Sequence, residues 1–343
     1  MTIINLLCPQ CMEMLEERKG GLHCGNCLRL WERKKGILSF MSGHFLTGDG
    51  GIQNTLLKKI SEMTRLEMED YLASHNSENL KKFSDALRNN RADGLYFLPI
   101  GKNDLLLDLG CGPGSLSIPA AGMCRHVFAF DHSLSDLMFL EIRKKNDSIA
   151  NITTIHGEPT SLPFGPESFD HIAMNGAVEY IGNFVKGRDP LASQKDLLTL
   201  TYRLLKKGGH LFLSAPNRYG LDFFYRERDV TGLYLAGVVP RVVAKFIMFV
   251  AGGKTYTTYS HTIRGYRKLL REAGYENIIF YFTWPDYRNP KYIVPEGNRN
   301  IFTYYRENFM KTTGAFEYRF FKTASILGIE DFFAPYLIIT AGK

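Results

Sequence analysis

Three groups of residues in this chain have the types and spacing to do chemistry. The first is four cysteines, arranged as Cys8-x-x-Cys11 and Cys24-x-x-Cys27 with twelve residues between the pairs. Two such knuckles can hold one tetrahedral zinc through four thiolates, a closed structural site with no open position for a substrate. A pair of disulfides is the competing reading, disfavoured in a reducing cytosol. The second group is LLLDLGCGPG, residues 105–114, where an apolar run ends in Asp108 and Gly110, Gly112 and Gly114 follow at alternate positions. Glycines so placed let the backbone turn tightly and approach a ligand where a Cβ would collide. The third is a set of histidines, His132, His171 and His261, of which His261 in TYSHTIRGY is the preferred general base.

These residues need elements to hold them. Leu105, Leu106 and Leu107 read as a strand buried on both faces, as in a parallel sheet. Ser115 onward can open a helix whose first amide groups face the ligand. A dinucleotide site would need G-x-G-x-x-G, with the pyrophosphate on the helix dipole. Here the third glycine comes one residue early, with Pro113 between. A second buried strand, HVFAFD, ends in Asp131, placed to accept hydrogen bonds from two ribose hydroxyls. Strands are predicted at 105–109, 127–131, 152–156, 170–175 and 210–214, alternating with helices.

The string D-L-G-C-G-P-G resembles motif I of the class I, Rossmann-like S-adenosylmethionine (SAM) methyltransferases, and of the type 11 group within them. Three further motifs follow in the family's order: Asp131 after strand two; Glu158 and Pro159 ahead of Leu162-Pro163-Phe164 and Ser168-Phe169-Asp170; and LLKKGGHLFLSAPN for the fifth strand. The resemblance implies a cofactor site of Asp108, Gly110, Cys111, Gly112, Gly114, Asp131, His132, Glu158, Pro159 and Asn175, the last beside the transferred methyl group. Glu179-Tyr180 stands where many relatives read Glu-His. The N-terminal pattern C-P-x-C … L-x-C-x-x-C … G-I-L-x-F is similar to zinc ribbons that precede some methyltransferases. Such a metal would supply folding energy that a domain of about 40 residues lacks.

The expected architecture is therefore α/β: a Rossmann-like seven-stranded sheet, preceded by a small zinc ribbon and carrying helical, aromatic insertions on the substrate side. The boundaries are 1–42 for the ribbon, 43–100 for a glycine-rich linker and N-terminal helices, and 101–343 for the methyltransferase domain, with insertions at 218–262 and 285–334. Strands six and seven are read in ENIIFYFTW and PYLIITAGK. The N-terminus lacks a basic, apolar leader, and no run of 18 or more apolar residues occurs. A cytoplasmic enzyme is expected, with the inner membrane face as a further option.

Residues 202–343 carry 21 Lys and Arg against 11 Asp and Glu, a net +10 that exceeds the whole chain's +7. They also hold 30 of the 44 aromatic residues, which points to a partly apolar, anionic acceptor. Arg264 and Arg267 are candidates to meet its phosphate. The segment 237–253, GVVPRVVAKFIMFVAGG, reads as a surface helix on lipid, a lid, a dimer contact or plain core. The favoured function is methylation, at oxygen or nitrogen, of a small molecule, sugar or lipid-linked glycan precursor. An rRNA or tRNA methyltransferase using the ribbon for recognition and a non-catalytic SAM-binding regulator are the alternatives. The oligomeric state is left open.

Overall fold

The computed structural model describes residues 4–41, 51–75, 78–185, 187–225, 239–252, 257–311 and 314–343. The chain folds as two compact units, which do not follow the three boundaries read from the sequence. The first comprises residues 1–175, 200–211 and Lys343; the second comprises 176–199 and 212–342. Most of the expected linker, 43–50, lies outside the described residues.

The first unit opens with four short strands, β1 (Leu15–Arg18), β2 (Gly21–Cys24), β3 (Leu30–Lys34) and β4 (Ile37–Ser39). Three helices follow, α1 (Gly51–Ser61), α2 (Arg65–Ser74) and α3 (Glu78–Ala86). Then come β5 (Leu105–Leu109), α4 (Ser117–Ala121), β6 (His126–Asp131), α5 (Leu134–Asn146), β7 (Ile152–His156) and β8 (Phe169–Asn175). The strand order is β1-β2-β3-β4-β7-β6-β5-β8, with β7, β6, β5 and β8 parallel. β5 and β6 are buried at every residue, as strands covered on both faces must be.

The ribbon does not form a separate lobe. β4 pairs in parallel with β7, placing Leu38 opposite Ile155, so the ribbon's last strand extends the sheet. The Leu7 amide also donates to the Pro163 carbonyl at 2.9 Å. Leu57, Ile60, Met68, Leu72 and Phe83 of the three N-terminal helices pack on Phe139 of α5, and Phe83 stacks on Phe139 at 4.4 Å. Tyr71 is half-buried in that cluster beneath the Lys59 ammonium.

Helix α6 (Pro190–Leu204) and strand β9 (Leu205–Pro216) each run from one unit's residues into the other's. The second unit adds α7 (Asp222–Tyr225), α8 (Arg241–Gly252), α9 (Ile263–Glu272), β10 (Glu276–Trp284) and β11 (Tyr292–Pro295). It closes with α10 (Arg299–Tyr305), α11 (Ala315–Leu327) and β12 (Tyr336–Gly342). Here the order is β9-β12-β10-β11, and β10 pairs antiparallel with both neighbours. The strands β7, β6, β5, β8, β9, β12 and β10 are the seven of the expected Rossmann-like sheet.

The insertion 285–334 is aromatic because it builds its own small core. Trp284 lies 4.9 Å from Tyr305, 5.8 Å from Phe302 and 6.2 Å from Phe321. Burial of such rings accounts for much of the aromatic bias in the C-terminal sequence. Among the described residues, no helix is long and apolar enough to cross a membrane.

Candidate functional site

The cradle forms where β5 ends. Gly110, Gly112 and Gly114 all have positive φ, at 79°, 51° and 83°. A Cβ at Gly114 would meet Leu140 Cδ1 at 2.4 Å, whereas one at Gly112 would meet nothing within 4 Å. Gly114 is thus required by close packing on α5, and Gly112 leaves an open approach to the backbone. The helix is shorter than the sequence suggested: α4 starts at Ser117, not Ser115, and lasts five residues. The turn therefore contributes more to this cradle than a helix dipole does.

Two carboxylates anchor the turn. The Gly112 amide donates to Asp131 Oδ2 at 2.7 Å, and the Ser133 amide donates to Oδ1 at 2.8 Å. His132, exposed, places Nδ1 3.3 Å from the same Oδ1. Burial alone would raise the Asp131 pKa, but His132 and these two amides outweigh it and hold the group below its usual value. Asp108 goes the other way: complete burial lifts it to about 7, against the Ser117 hydroxyl that donates to Oδ2 at 2.6 Å and the positive charge of Arg91. Ser117 and Arg91 were not singled out in the sequence. Arg91 falls in a charged helical stretch with no motif to mark it.

Asp131 retains acceptor capacity beyond its two amide bonds, as a two-oxygen carboxylate does. An ionised acid beside an open glycine turn suits a nucleoside diol and a cationic sulfonium better than a pyrophosphate. The Ser115 hydroxyl is buried without a hydrogen-bond partner among the described residues, which fits a polar ligand at this turn. The other positions named from the sequence lie along the same edge of the first unit. Glu158 is exposed and its carbonyl accepts from the Ser161 amide at 3.0 Å, Pro159 is half-buried beside it, and Asn175 is buried at the end of β8. Cys111 is buried, its Sγ lies 3.5 Å from the Gly112 carbonyl, and burial raises its pKa well above the usual value.

The four N-terminal cysteines converge. Their Sγ atoms all lie within 4.8 Å of one another, and Cys11 Sγ is 3.5 Å from Cys24 Sγ. The Cys27 amide donates to Cys24 Sγ at 3.3 Å, the backbone support a thiolate needs. All four are unbridged, so the set fits a tetrahedral zinc.

His261 is placed differently from the sequence reading. Gln194 Nε2 donates to the carbonyls of Val178 and Tyr259, so its Oε1 accepts from His261 Nε2 at 2.7 Å. His261 Nδ1 then accepts from Arg241 at 3.0 Å. Burial, with Arg241 and Arg218 adding to it, lowers the His261 pKa to about 3. No ring nitrogen remains to take a substrate proton, so the geometry corrects the base assignment. His171 Nε2 pairs with Asp104 Oδ2 at 3.0 Å in a buried setting. Of the two charges expected to meet an acceptor phosphate, Arg267 instead pairs with both oxygens of Glu296, at 2.7 and 2.5 Å, while Arg264 is exposed.

Glu179 stands out in the second unit. It is fully buried, and neither carboxyl oxygen has a hydrogen-bond partner among the described residues. Burial raises its pKa to about 7, with Arg288 and Tyr287 opposing. The short helix Val178–Asn183 carries it. Gly176 precedes that helix with φ 69°, and a Cβ there would meet the Tyr287 hydroxyl at 2.4 Å. Tyr287, Tyr336 and Phe223 form one buried cluster.

Residues 107–213 match the family described as a methyltransferase domain. The chain is 26% identical over 202 residues to a demethylmenaquinone methyltransferase of Listeria monocytogenes, spanning 55% of this chain and 77% of that one. It is 28% identical to the Listeria welshimeri protein of the same name, over 55% and 78%. Among solved structures, a possible histamine N-methyltransferase of Thermotoga maritima is similar at 15% identity, with a TM-score of 0.45 over 78% of this chain and 95% of that one. The D-x-G-x-G-x-G cradle, the acidic residue ending β6 and the matched family together show a SAM-dependent methyltransferase domain over residues 107–213.

Proposed function

We propose that this enzyme methylates a small, largely apolar acceptor bearing an ionisable hydroxyl, of which demethylmenaquinol is the first to test. SAM is held by Asp108, Gly110, Cys111, Gly112, Gly114, Asp131, His132, Glu158, Pro159 and Asn175, with the Asp131 carboxylate on the ribose. The observation that carries the acceptor reading is the character of the second unit at Gly176. A buried carboxyl group, a phenol and aromatic rings meet there, and Arg299 and Arg306 of the second insertion are paired with carboxylates. That favours an apolar ring over a phosphorylated or glycan acceptor. The named activity of the Listeria relatives supports the same reading.

SAM supplies an activated methyl group, so the residues of this chain need to align the acceptor, exclude water and remove a proton. The four cysteines bind one structural zinc, which holds together the ribbon whose last strand, β4, pairs with β7. The exposed face of α8, with Val242, Phe246, Phe249 and Val250 each more than 60% exposed, offers a surface for an acceptor delivered from lipid.

The test is methyl transfer from radiolabelled SAM to a short-chain demethylmenaquinol, beside unmodified tRNA, rRNA and sugar-lipid extracts. Label in the quinol product supports the proposal. Label in RNA with none in the quinol would replace it by the nucleic-acid reading.

A further inference from the structure

Three buried residues stand in one row across the first unit. Ser39 of β4 lies opposite His156 of β7, and His156 lies opposite Asp131 of β6, in parallel register. The row is bonded through the His156 ring. Its Nε2 is 3.1 Å from the His132 carbonyl, which can only accept, so this nitrogen carries the proton. Nδ1 is then the acceptor, and the Ser39 hydroxyl donates to it at 3.1 Å. Backbone bonds close the same three strand ends: the Phe40 amide donates to the His156 carbonyl at 2.7 Å, and the Gly157 amide donates to the Asp131 carbonyl at 3.0 Å. The His132 carbonyl and the Ser133 amide are the two ends of a single peptide group. His156 holds the oxygen end, while Asp131 Oδ1 accepts from the N–H end at 2.8 Å.

From this geometry we infer that Ser39 and His156 are positioning residues for the cofactor, so that the last strand of the cysteine ribbon helps to set the Asp131 carboxylate. The inference rests on the reading that Asp131 binds the SAM ribose. A peptide group is planar and rigid, so fixing its oxygen also fixes the direction of its N–H. Without His156 that plane is free to tilt, and Oδ1 loses the donor that orients it. The Gly112 amide then holds the carboxylate by Oδ2 alone. A carboxylate already set in its bound orientation gives up less freedom when the ribose arrives. Ser39 acts one step further out, by holding the ring of His156 from the ribbon side. The ribbon therefore contributes to cofactor affinity as well as to folding. Linkage makes the effect reciprocal: if β4 strengthens SAM binding, SAM must stabilise β4 by the same amount.

The test is calorimetric titration of SAM into the full chain, joined to hydrogen exchange over residues 37–41. Ser39→Ala and His156→Leu should each bind SAM about three- to tenfold more weakly, the scale of one hydrogen bond. Ser39→Thr keeps the hydroxyl and should keep the affinity. The double variant should bind no more weakly than His156→Leu alone, because both residues act through one ring. SAM should slow exchange of residues 37–41 in wild type and fail to do so in Ser39→Ala. A merely structural pair would lower stability in denaturant yet leave SAM affinity and this protection as in wild type, and that result overturns the inference. If His156→Leu does not fold, Ser39→Ala beside Ser39→Thr decides the case. Unchanged affinity in the Ser39 and His156 variants, with binding weakened by Asp131→Ala, overturns the inference and leaves the cofactor reading intact. Unchanged affinity in Asp131→Ala overturns both, since the clamped peptide would then orient no ligand group.

Discussion

The amide of Gly112 points at Oδ2 of Asp131 across 2.7 Å, joining the turn after β5 to the end of β6. Nineteen residues separate the two in sequence, and the parallel register of β5 with β6 brings them together. Asp131→Ala should therefore weaken SAM binding by about 1–3 kcal/mol, the scale of charge-assisted hydrogen bonds lost, and loosen the turn. Calorimetry on folded variant protein checks this; unchanged affinity would remove Asp131 from the site.

Gly114 tests packing independently of binding. Its φ of 83° and the 2.4 Å approach of Leu140 Cδ1 leave no room for a side chain. Gly114→Ala should lower stability by more than about 1 kcal/mol, since strain and clash act together. Chemical denaturation of the variant beside wild type measures it.

One zinc per chain should co-purify with the protein, and Cys24→Ser should release it. Because β4 carries the ribbon into the sheet beside β7, the loss should lower the melting temperature of the first unit rather than of the ribbon alone. Metal analysis joined to thermal unfolding gives both numbers. Four freely titrating thiols in folded, metal-free protein would end the zinc assignment.

His261 should govern acid stability, not catalysis. Its folded pKa, near 3, lies below the unfolded value, so the unfolded chain binds the extra proton as pH falls from about 6.5 towards 3. The stability that the neutral ring contributes is complete above that window and lost through it. His261→Gln should flatten this acid limb while keeping the pH profile of methyl transfer. A rate profile that moved with this substitution would return His261 to the role of base.

The sequence alone carried the cofactor half of the protein. Alternating glycines behind a buried strand, and an acid ending the next, are local patterns whose backbone consequences follow from a few adjacent residues. The ten positions read as SAM ligands all fall in residues 108–175, and the four cysteines announced their cluster by spacing. What the sequence could not show depends on contacts between distant segments. The ribbon reads as a separate domain because nothing in ILS reveals that it will pair with ITTIH across more than a hundred residues. His261 reads as a base until Arg241 and Gln194, twenty and sixty-seven residues away, occupy both its nitrogens. Glu179 reads only as half of a Glu-Tyr pair where many relatives have Glu-His; burial beside Tyr287, more than a hundred residues later, sets its proton affinity. Local backbone geometry is written in neighbouring residues, whereas the protonation state of a side chain belongs to the tertiary environment that solvates it.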